Sequence, residues 1–175
     1  MTTMILSIIF LASCSGEQNR QSAEVNTPAE VKEEQKTTAD IADVSFVDGM
    51  TGKAFHNYLQ LQRALFNSDL DEAKKVARNL SETFTQERDH LKELAVNMAE
   101  ADDLAGVRTH FSSFTNEVEP LFSEAISKGT VYKQYCPMAF DNKGAYWIAD
   151  VKEINNPYFG EQMPTCGETV ETISK

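Results

Sequence analysis

The chain is poor in positive charge. It has 16 Lys and Arg against 27 Asp and Glu, which gives a formal net charge of −11. Sequence-independent binding to nucleic acid needs Lys and Arg to replace the counterions of the phosphates, and docking on anionic lipid needs a basic face. The composition therefore argues against nucleic acid as a partner and against membrane binding through charge.

Motifs for catalysis are also absent. The sequence has no Gly-rich phosphate loop, no serine in a nucleophile elbow and no HExxH. Its three histidines, His56, His90 and His110, fall on different predicted helical segments. Because nothing supports catalysis by a named mechanism, we expect a protein that is not an enzyme.

An apolar run, MILSIIFLASC, lies near the N-terminus. It is too short to span a membrane as a helix and is typical of a secretory signal. Its end, Leu11-Ala12-Ser13-Cys14, resembles the bacterial lipobox, although the preceding MTTM lacks the usual basic residues. The resemblance implies a signal peptide at 1–14 and lipidation of Cys14. The mature protein would then be lipid-anchored in the Gram-negative cell envelope, at the outer membrane and facing the periplasm. A plain cleaved signal peptide is the alternative.

Residues 15–45 are predicted to form a disordered tether. They are rich in Glu, Gln, Thr, Ser and Ala and contain no aromatic residue. Such a segment cannot bury enough apolar surface to offset its chain entropy. We expect one folded domain after it, at 46–175.

The spacing of apolar residues predicts a mainly α domain. Helical periodicity marks segments 49–67, 70–84, 91–98 and 104–128. These segments predict an antiparallel bundle of three to four helices, with N-caps supplied by Asn67-Ser68-Asp69 and by Asp102-Asp103. Residues 83–85 are either a break between two helices or the middle of one long helix. Pro120 is predicted to kink the last helix or to mark a boundary.

The character of the sequence changes after Gly129. β-Formers surround Tyr132 and Trp147, and a turn signal at 141–144 lies between them. Residues 169–173 are compatible with a further short strand. The prediction is a small C-terminal β-hairpin or irregular cap at 130–175.

Sulfur is concentrated in this predicted cap. The chain has three cysteines, so lipidation of Cys14 leaves Cys136 and Cys166 as an isolated pair. Each lies close to a methionine, Met138 in CPM and Met163 in MPTC. Thiolate and thioether are soft donors that favour Cu(I) and Ag(I). Two such segments meeting across the cap would supply three or four ligands, and His110 is the candidate from the helices to complete the site.

A disulfide is the alternative explanation of the same residues. An isolated cysteine pair in an oxidising compartment forms a disulfide by default. A Cys136–Cys166 bond would stabilise the cap by about 3–4 kcal/mol in the chain-entropy model, and Met138 and Met163 would then fill the core. Spacing alone does not distinguish the metal site from the disulfide. The two hypotheses are also compatible, if the cysteine pair is oxidised when no metal is bound and binds metal when it is reduced. A thiol oxidoreductase is disfavoured because the cysteines do not form CxxC.

Four blocks near the C-terminus resemble a bacterial family of unknown function, DUF3347. They are CPMA from Cys136, GAYW from Gly144, NPYFG from Asn156 and MPTCG from Met163. The resemblance covers roughly residues 49–175, and members occur as exported proteins or fused to periplasmic adaptors of copper/silver efflux pumps. It implies handling of soft metals outside the cytoplasm, with an efflux adaptor as partner. Ala139 departs from the YCPMH-type heavy-metal-binding segment of such systems, which has histidine there.

These observations lead to two hypotheses. The first is an exported, lipid-anchored protein that binds Cu(I) or Ag(I) through Cys136, Met138, Met163 and Cys166, with His110, and buffers the metal or delivers it to an efflux system. The second is a disulfide-stapled structural or interaction domain of an envelope or efflux complex, without metal.

Overall fold

The computed structural model describes residues 43–175. The predicted signal peptide, the lipidation site Cys14 and residues 15–42 of the predicted tether lie outside the described residues. No helix within the described range is long and apolar enough to cross a membrane.

Helices dominate the N-terminal part of the described chain. Consecutive helices pack against each other, and their apolar faces share one buried cluster with the strands that follow. Their bounds are α1 Gly49–Phe66, α2 Leu70–Ser81, α3 Asp89–Glu100 and α4 Leu104–Ala125, with a 3-10 turn, Gln86–Arg88, before α3. The mainly helical prediction is confirmed for this region, and the antiparallel bundle arrangement stays a prediction.

Three of these helices are capped by an aspartate that directly precedes their first residue. Each carboxylate accepts a hydrogen bond from the backbone N–H three residues further on, at 2.8 to 3.0 Å. The three residues are Asp48, Asp69 and Asp103. Each satisfies a donor that the first helical turn leaves without an intrahelical partner.

Two predicted helix ends were wrong. The helix expected at 70–84 ends at Ser81, and the one expected to reach residue 128 ends at Ala125. The second ends early because the β-branched Ile126 turns extended and pairs with Phe46. Pro120 is not a boundary, since α4 continues through it.

The strands form two small antiparallel sheets, and the larger one lies in the C-terminal part. β1 Ser45–Phe46 pairs with β2 Ile126–Lys128, and a second sheet has the order β4-β3-β5 with both pairings antiparallel. The strands of that sheet are β3 Thr130–Cys136, β4 Ala145–Ala149 and β5 Glu168–Ser174. The predicted hairpin and the predicted tail strand are thus confirmed. A short turn, Ala139–Asn142, with Phe140, Asp141 and Asn142 at positive φ, joins β3 to β4.

The β-sheet and the helices share one core. The Tyr58 hydroxyl of α1 bonds to Thr115 Oγ1 of α4 at 2.9 Å and accepts the Ile148 N–H of β4 at 3.1 Å. Its ring stacks on Phe111 with centroids 5.0 Å apart. Burial raises the pKa of Tyr58 well above its usual value, which keeps the phenol neutral. The predicted cap is therefore an integral layer of the domain.

Arg108 ties the loop after β4 to the end of α1. Its Nε donates to the Pro157 carbonyl at 2.9 Å, and its Nη2 donates to the Leu65 carbonyl and to Ser68 Oγ, both at 3.1 Å. Gly160 follows in the same loop at φ +56, where a Cβ atom would lie 2.7 Å from the Phe66 carbonyl oxygen. The loop approaches α1 this closely only because residue 160 is glycine.

We expect Gly160→Ala to lower the free energy of unfolding by about 1–3 kcal/mol, because alanine at this φ is strained and its methyl group meets the backbone of α1. Gly49→Ala is the matched control, since a Cβ at Gly49 has no neighbour within 4 Å. Urea unfolding should show a lower midpoint for the first variant only. Equal midpoints would contradict the close approach.

Candidate functional site

The register of the sheet places the two predicted cap cysteines together. Cys136 is the last residue of β3, where its Cα partner in β4 is Ala145. On the other side of β3, Tyr135 pairs with Glu168, the first residue of β5. Cys166 precedes that strand by two residues, so antiparallel pairing brings it beside Cys136. The Sγ atoms lie 2.9 Å apart, and both residues are free thiols.

This separation lies between two chemical states. A disulfide has an S–S bond of about 2.05 Å. Two thiolates that share one ion at tetrahedral angles, with bonds of about 2.3 Å, lie roughly 3.8 Å apart. From 2.9 Å, each state needs the sulfurs to move by less than about 1 Å. The arrangement is suited to a dithiol, to a disulfide and to a two-sulfur metal site.

The two thiols differ in access and acidity. Cys136 is fully buried, whereas Cys166 is half-buried. The hydrogen bond with Cys136, and then burial, raise the pKa of Cys166 from 9.0 to about 11. At neutral pH Cys166 therefore carries its proton, and it is the sulfur that solvent reaches.

Gly167 allows the chain to lie close against β3 and β4 just before β5 begins. It adopts φ +146, and a Cβ atom would lie 2.8 Å from Trp147 Cη2 and 2.9 Å from the Tyr135 carbonyl oxygen. Any side chain would push the strand start, and with it Cys166, away from β3. Gly167 thus fixes how closely the second cysteine approaches the first.

Asn156 holds the loop that carries Cys166, and its side chain is fully buried. The side-chain Nδ2 donates to the Cys166 carbonyl at 2.6 Å, and the backbone N–H donates to the Pro164 carbonyl at 3.0 Å. Its Oδ1 accepts the N–H groups of Tyr158 and Phe159 at 2.8 and 3.2 Å. Asn156 therefore links the segment at Tyr158 and Phe159 to the segment from Pro164 to Cys166.

Aromatic side chains surround the same loop. The Tyr158 ring contacts Phe111, Phe140 and Trp147 at centroid distances of 5.4 to 6.0 Å. Its hydroxyl donates to the Tyr146 carbonyl, and burial raises its pKa well above the usual value. These rings pack the core and shield the buried cysteine from water.

The other predicted ligands have less support than the cysteines. Met138 lies two residues after Cys136 and is 44% exposed, while Met163 is half-buried in the segment that carries Cys166. His110 is half-buried on α4, beside Phe111 in the sequence. Among residues 43–175 no group of three or more His, Cys, Asp or Glu side chains is placed to hold a metal. That finding does not test a site built from two cysteines and methionine sulfur.

Sequence reasoning missed the residues that position the pair. From the sequence, Asn156 was only the first residue of the NPYFG block, and Arg108 had no predicted role. A signal for Asn156 was present, because asparagine before proline favours a side-chain bond to the N–H two residues on. No sequence signal connected Arg108 to a loop 49 residues away.

Comparison with known proteins gives one family match, over less than half of the chain. Residues 54–129 match the family described as "Protein of unknown function (DUF3347)". The matched segment runs from within α1 to Gly129, just before β3, so the four C-terminal blocks lie outside it. No curated protein matches the chain, and no solved structure does.

We expect Cys136→Ala to accelerate alkylation of Cys166 by iodoacetamide at pH 8 by about tenfold. Losing the partner thiol lowers the pKa of Cys166 toward 9.0, and the larger thiolate fraction outweighs the lower nucleophilicity of each thiolate. Mass spectrometry of the modified peptide measures the rate, with Cys14→Ser in both proteins so that no third thiol competes. An unchanged rate would show that Cys136 does not hold the Cys166 proton.

The C-terminal blocks thus lie around a dithiol, and the helical segment at residues 54–129 matches the model of the DUF3347 family, whose function is unknown.

Proposed function

We propose that this protein is an exported, lipid-anchored binding protein for Cu(I) or Ag(I), which buffers the metal or delivers it to an efflux system. The observation that carries the proposal is the convergence of the Cys136 and Cys166 sulfurs, 2.9 Å apart. Thiolates are the protein ligands that soft monovalent ions prefer. The role is non-enzymatic and needs no group beyond the side chains of this site.

The difference in burial between the two cysteines suits capture of an ion from solution or from a partner. Cys166 is half-buried and meets the ion first, and the buried Cys136 completes the pair. Met138, with its exposed thioether, lies close to Cys136 in the chain and supplies a further soft donor. In the same proposal Met163 and His110 complete the ligand set.

Metal binding displaces protons from this site. Both cysteines bind as thiolates, and the pKa of Cys166 in the free dithiol is about 11. Below that pH the ion must replace the proton of Cys166, so apparent affinity falls as the pH is lowered. The aromatic packing around Tyr158 and Trp147 keeps water away from the buried side of the site.

Location and partner rest on the sequence resemblances. Lipidation at Cys14 would hold the domain on the membrane, facing the periplasm, with the residues between Cys14 and β1 as the tether. The acidic surface, with its net charge of −11, favours cations near the protein. An efflux adaptor is the proposed acceptor of the metal.

We expect the reduced protein with Cys14→Ser to bind one Cu(I) tightly in anaerobic competition with a chromophoric chelator. Cys166→Ser and Cys136→Ser should abolish tight binding, and Met138→Leu or Met163→Leu should weaken it by about tenfold or more. Met50→Leu on α1 is the matched control and should leave affinity unchanged.

For the histidine, His110→Ala should weaken binding and the exposed His56→Ala should not. Full affinity in Cys166→Ser would reject the site.

A second candidate function is a disulfide-stapled structural or interaction domain of an envelope or efflux complex. The 2.9 Å separation favours it, because the thiols are already closer than two ligands of one ion. Oxidation would join β3 to the start of β5, across 30 residues of chain. In this case no metal binds, and function lies on the protein surface.

If the staple is the functional state, oxidation of the pair should stabilise the domain by about 3–4 kcal/mol, as loop-closure entropy predicts. Urea unfolding of the oxidised and reduced forms of the Cys14→Ser protein measures the difference. Cys136→Ala/Cys166→Ala is the control, since its stability should not respond to oxidant. The thiol state of the protein in the cell envelope then separates the two functions, because a permanently oxidised pair has no free thiolate for metal.

A further inference from the structure

Cys136 and Cys166 are held in place by different means. Cys136 belongs to β3, which is hydrogen-bonded to a strand on each side. Cys166 lies before β5 begins, in a turn closed by its own N–H to the Met163 carbonyl at 3.2 Å. Its carbonyl oxygen accepts the Asn156 side chain at 2.6 Å. The position of Cys166 therefore depends on a loop, and that of Cys136 on the sheet.

Asn156 has the bonds needed to fix this loop. Its Oδ1 is held by the N–H groups of Tyr158 and Phe159, so the amide plane cannot rotate without breaking both bonds. The Nδ2 group is thereby aimed at Cys166. Arg108 on α4 donates to the Pro157 carbonyl and so holds the same stretch of chain. The backbone that carries the Asn156 side chain is therefore fixed in place.

We propose that Asn156 is a positioning residue that fixes Cys166 against Cys136 and so sets the redox equilibrium of the pair. This inference deepens the proposed function, because the same thiols are the proposed metal ligands. It applies equally to a disulfide staple.

The reaction that reports the equilibrium is exchange with glutathione disulfide. The two protein thiols become one disulfide and glutathione disulfide becomes two glutathione thiols, so two electrons and two protons pass to glutathione. The equilibrium constant rises with the effective concentration of one cysteine at the other, which a rigid arrangement of reacting groups increases. If Asn156 is lost, the dithiol relaxes to larger separations, and the disulfide becomes easier to reduce.

We expect Asn156→Ala to lower this equilibrium constant by at least about tenfold, which equals about 30 mV for a two-electron couple. Asn156→Asp should act in the same direction. It keeps the size and the oxygen that accepts from Tyr158 and Phe159, but replaces the donor to Cys166 with a second oxygen. The constant is measured by mass spectrometry of acid-quenched glutathione mixtures, on the full chain carrying Cys14→Ser.

Asn57→Ala is the matched control. Asn57 is also a buried asparagine, and its Nδ2 donates to Thr83 Oγ1 at 3.2 Å, in a contact between α1 and the segment after α2. A shift in both Asn156 variants and none in Asn57→Ala supports the proposal. An unchanged constant in folded Asn156→Ala overturns it, and so does an equal shift in Asn57→Ala.

Hydrogen exchange on the protein that retains Asn156 gives a test that does not depend on whether the variants fold. The amides of Tyr158 and Phe159 should stay protected in the reduced form, because Asn156 holds them without help from a disulfide. Loss of their protection on reduction would contradict the proposal. Failure to bind Cu(I) would remove the proposed function and leave this result intact, since neither readout involves metal.

Discussion

The antiparallel register between β3 and β5 is the constraint on which the candidate site depends. Tyr135 faces Glu168, and this pairing places the residues just beyond each strand end beside one another. A register slip of two residues would separate Cys136 from Cys166 by roughly a further 7 Å. A slip of one residue would turn the side chains of one strand to the opposite face. Neither a shared metal ion nor a disulfide would then be possible.

Several unusual backbone positions act together to hold that register. Gly167 passes against Trp147 and the Tyr135 carbonyl, in a conformation that leaves no room for a side chain. Gly160 lets the preceding loop lie on α1, where Arg108 binds it. The NPYFG and MPTCG blocks thus have structural roles, whatever the cysteines bind. Their concentration around one dithiol is the physical reason to place the function there.

The sequence predicted the elements better than their assembly. Helical periodicity and capping aspartates such as Asp69 and Asp103 are local signals, so the helices and their starts could be predicted. The end of α4 at Ala125 could not be predicted in this way, because it depends on the pairing of Ile126 with a strand that is distant in the sequence. The meeting of Cys136 and Cys166 was a hypothesis from composition and spacing. The geometry behind it depends on β3–β5 register, which no local pattern contains.

The same distinction applies to the buried polar residues. The Asn156 amide and the Arg108 guanidinium act through carbonyl groups far away in the chain. Such partners have no sequence signature, because every residue offers a carbonyl. Met138, Met163 and His110 were proposed from donor chemistry alone, and they remain predictions as ligands.

The most direct test of this account is disulfide mapping of the full chain after mild oxidation with glutathione disulfide. The account predicts one intramolecular bond between Cys136 and Cys166, formed rapidly in the folded protein and slowly in urea. Mixed disulfides with glutathione at both cysteines, or bonds between chains in place of the internal one, would contradict it. In that case the two sulfurs do not meet in the folded domain, and neither the metal site nor the staple would stand.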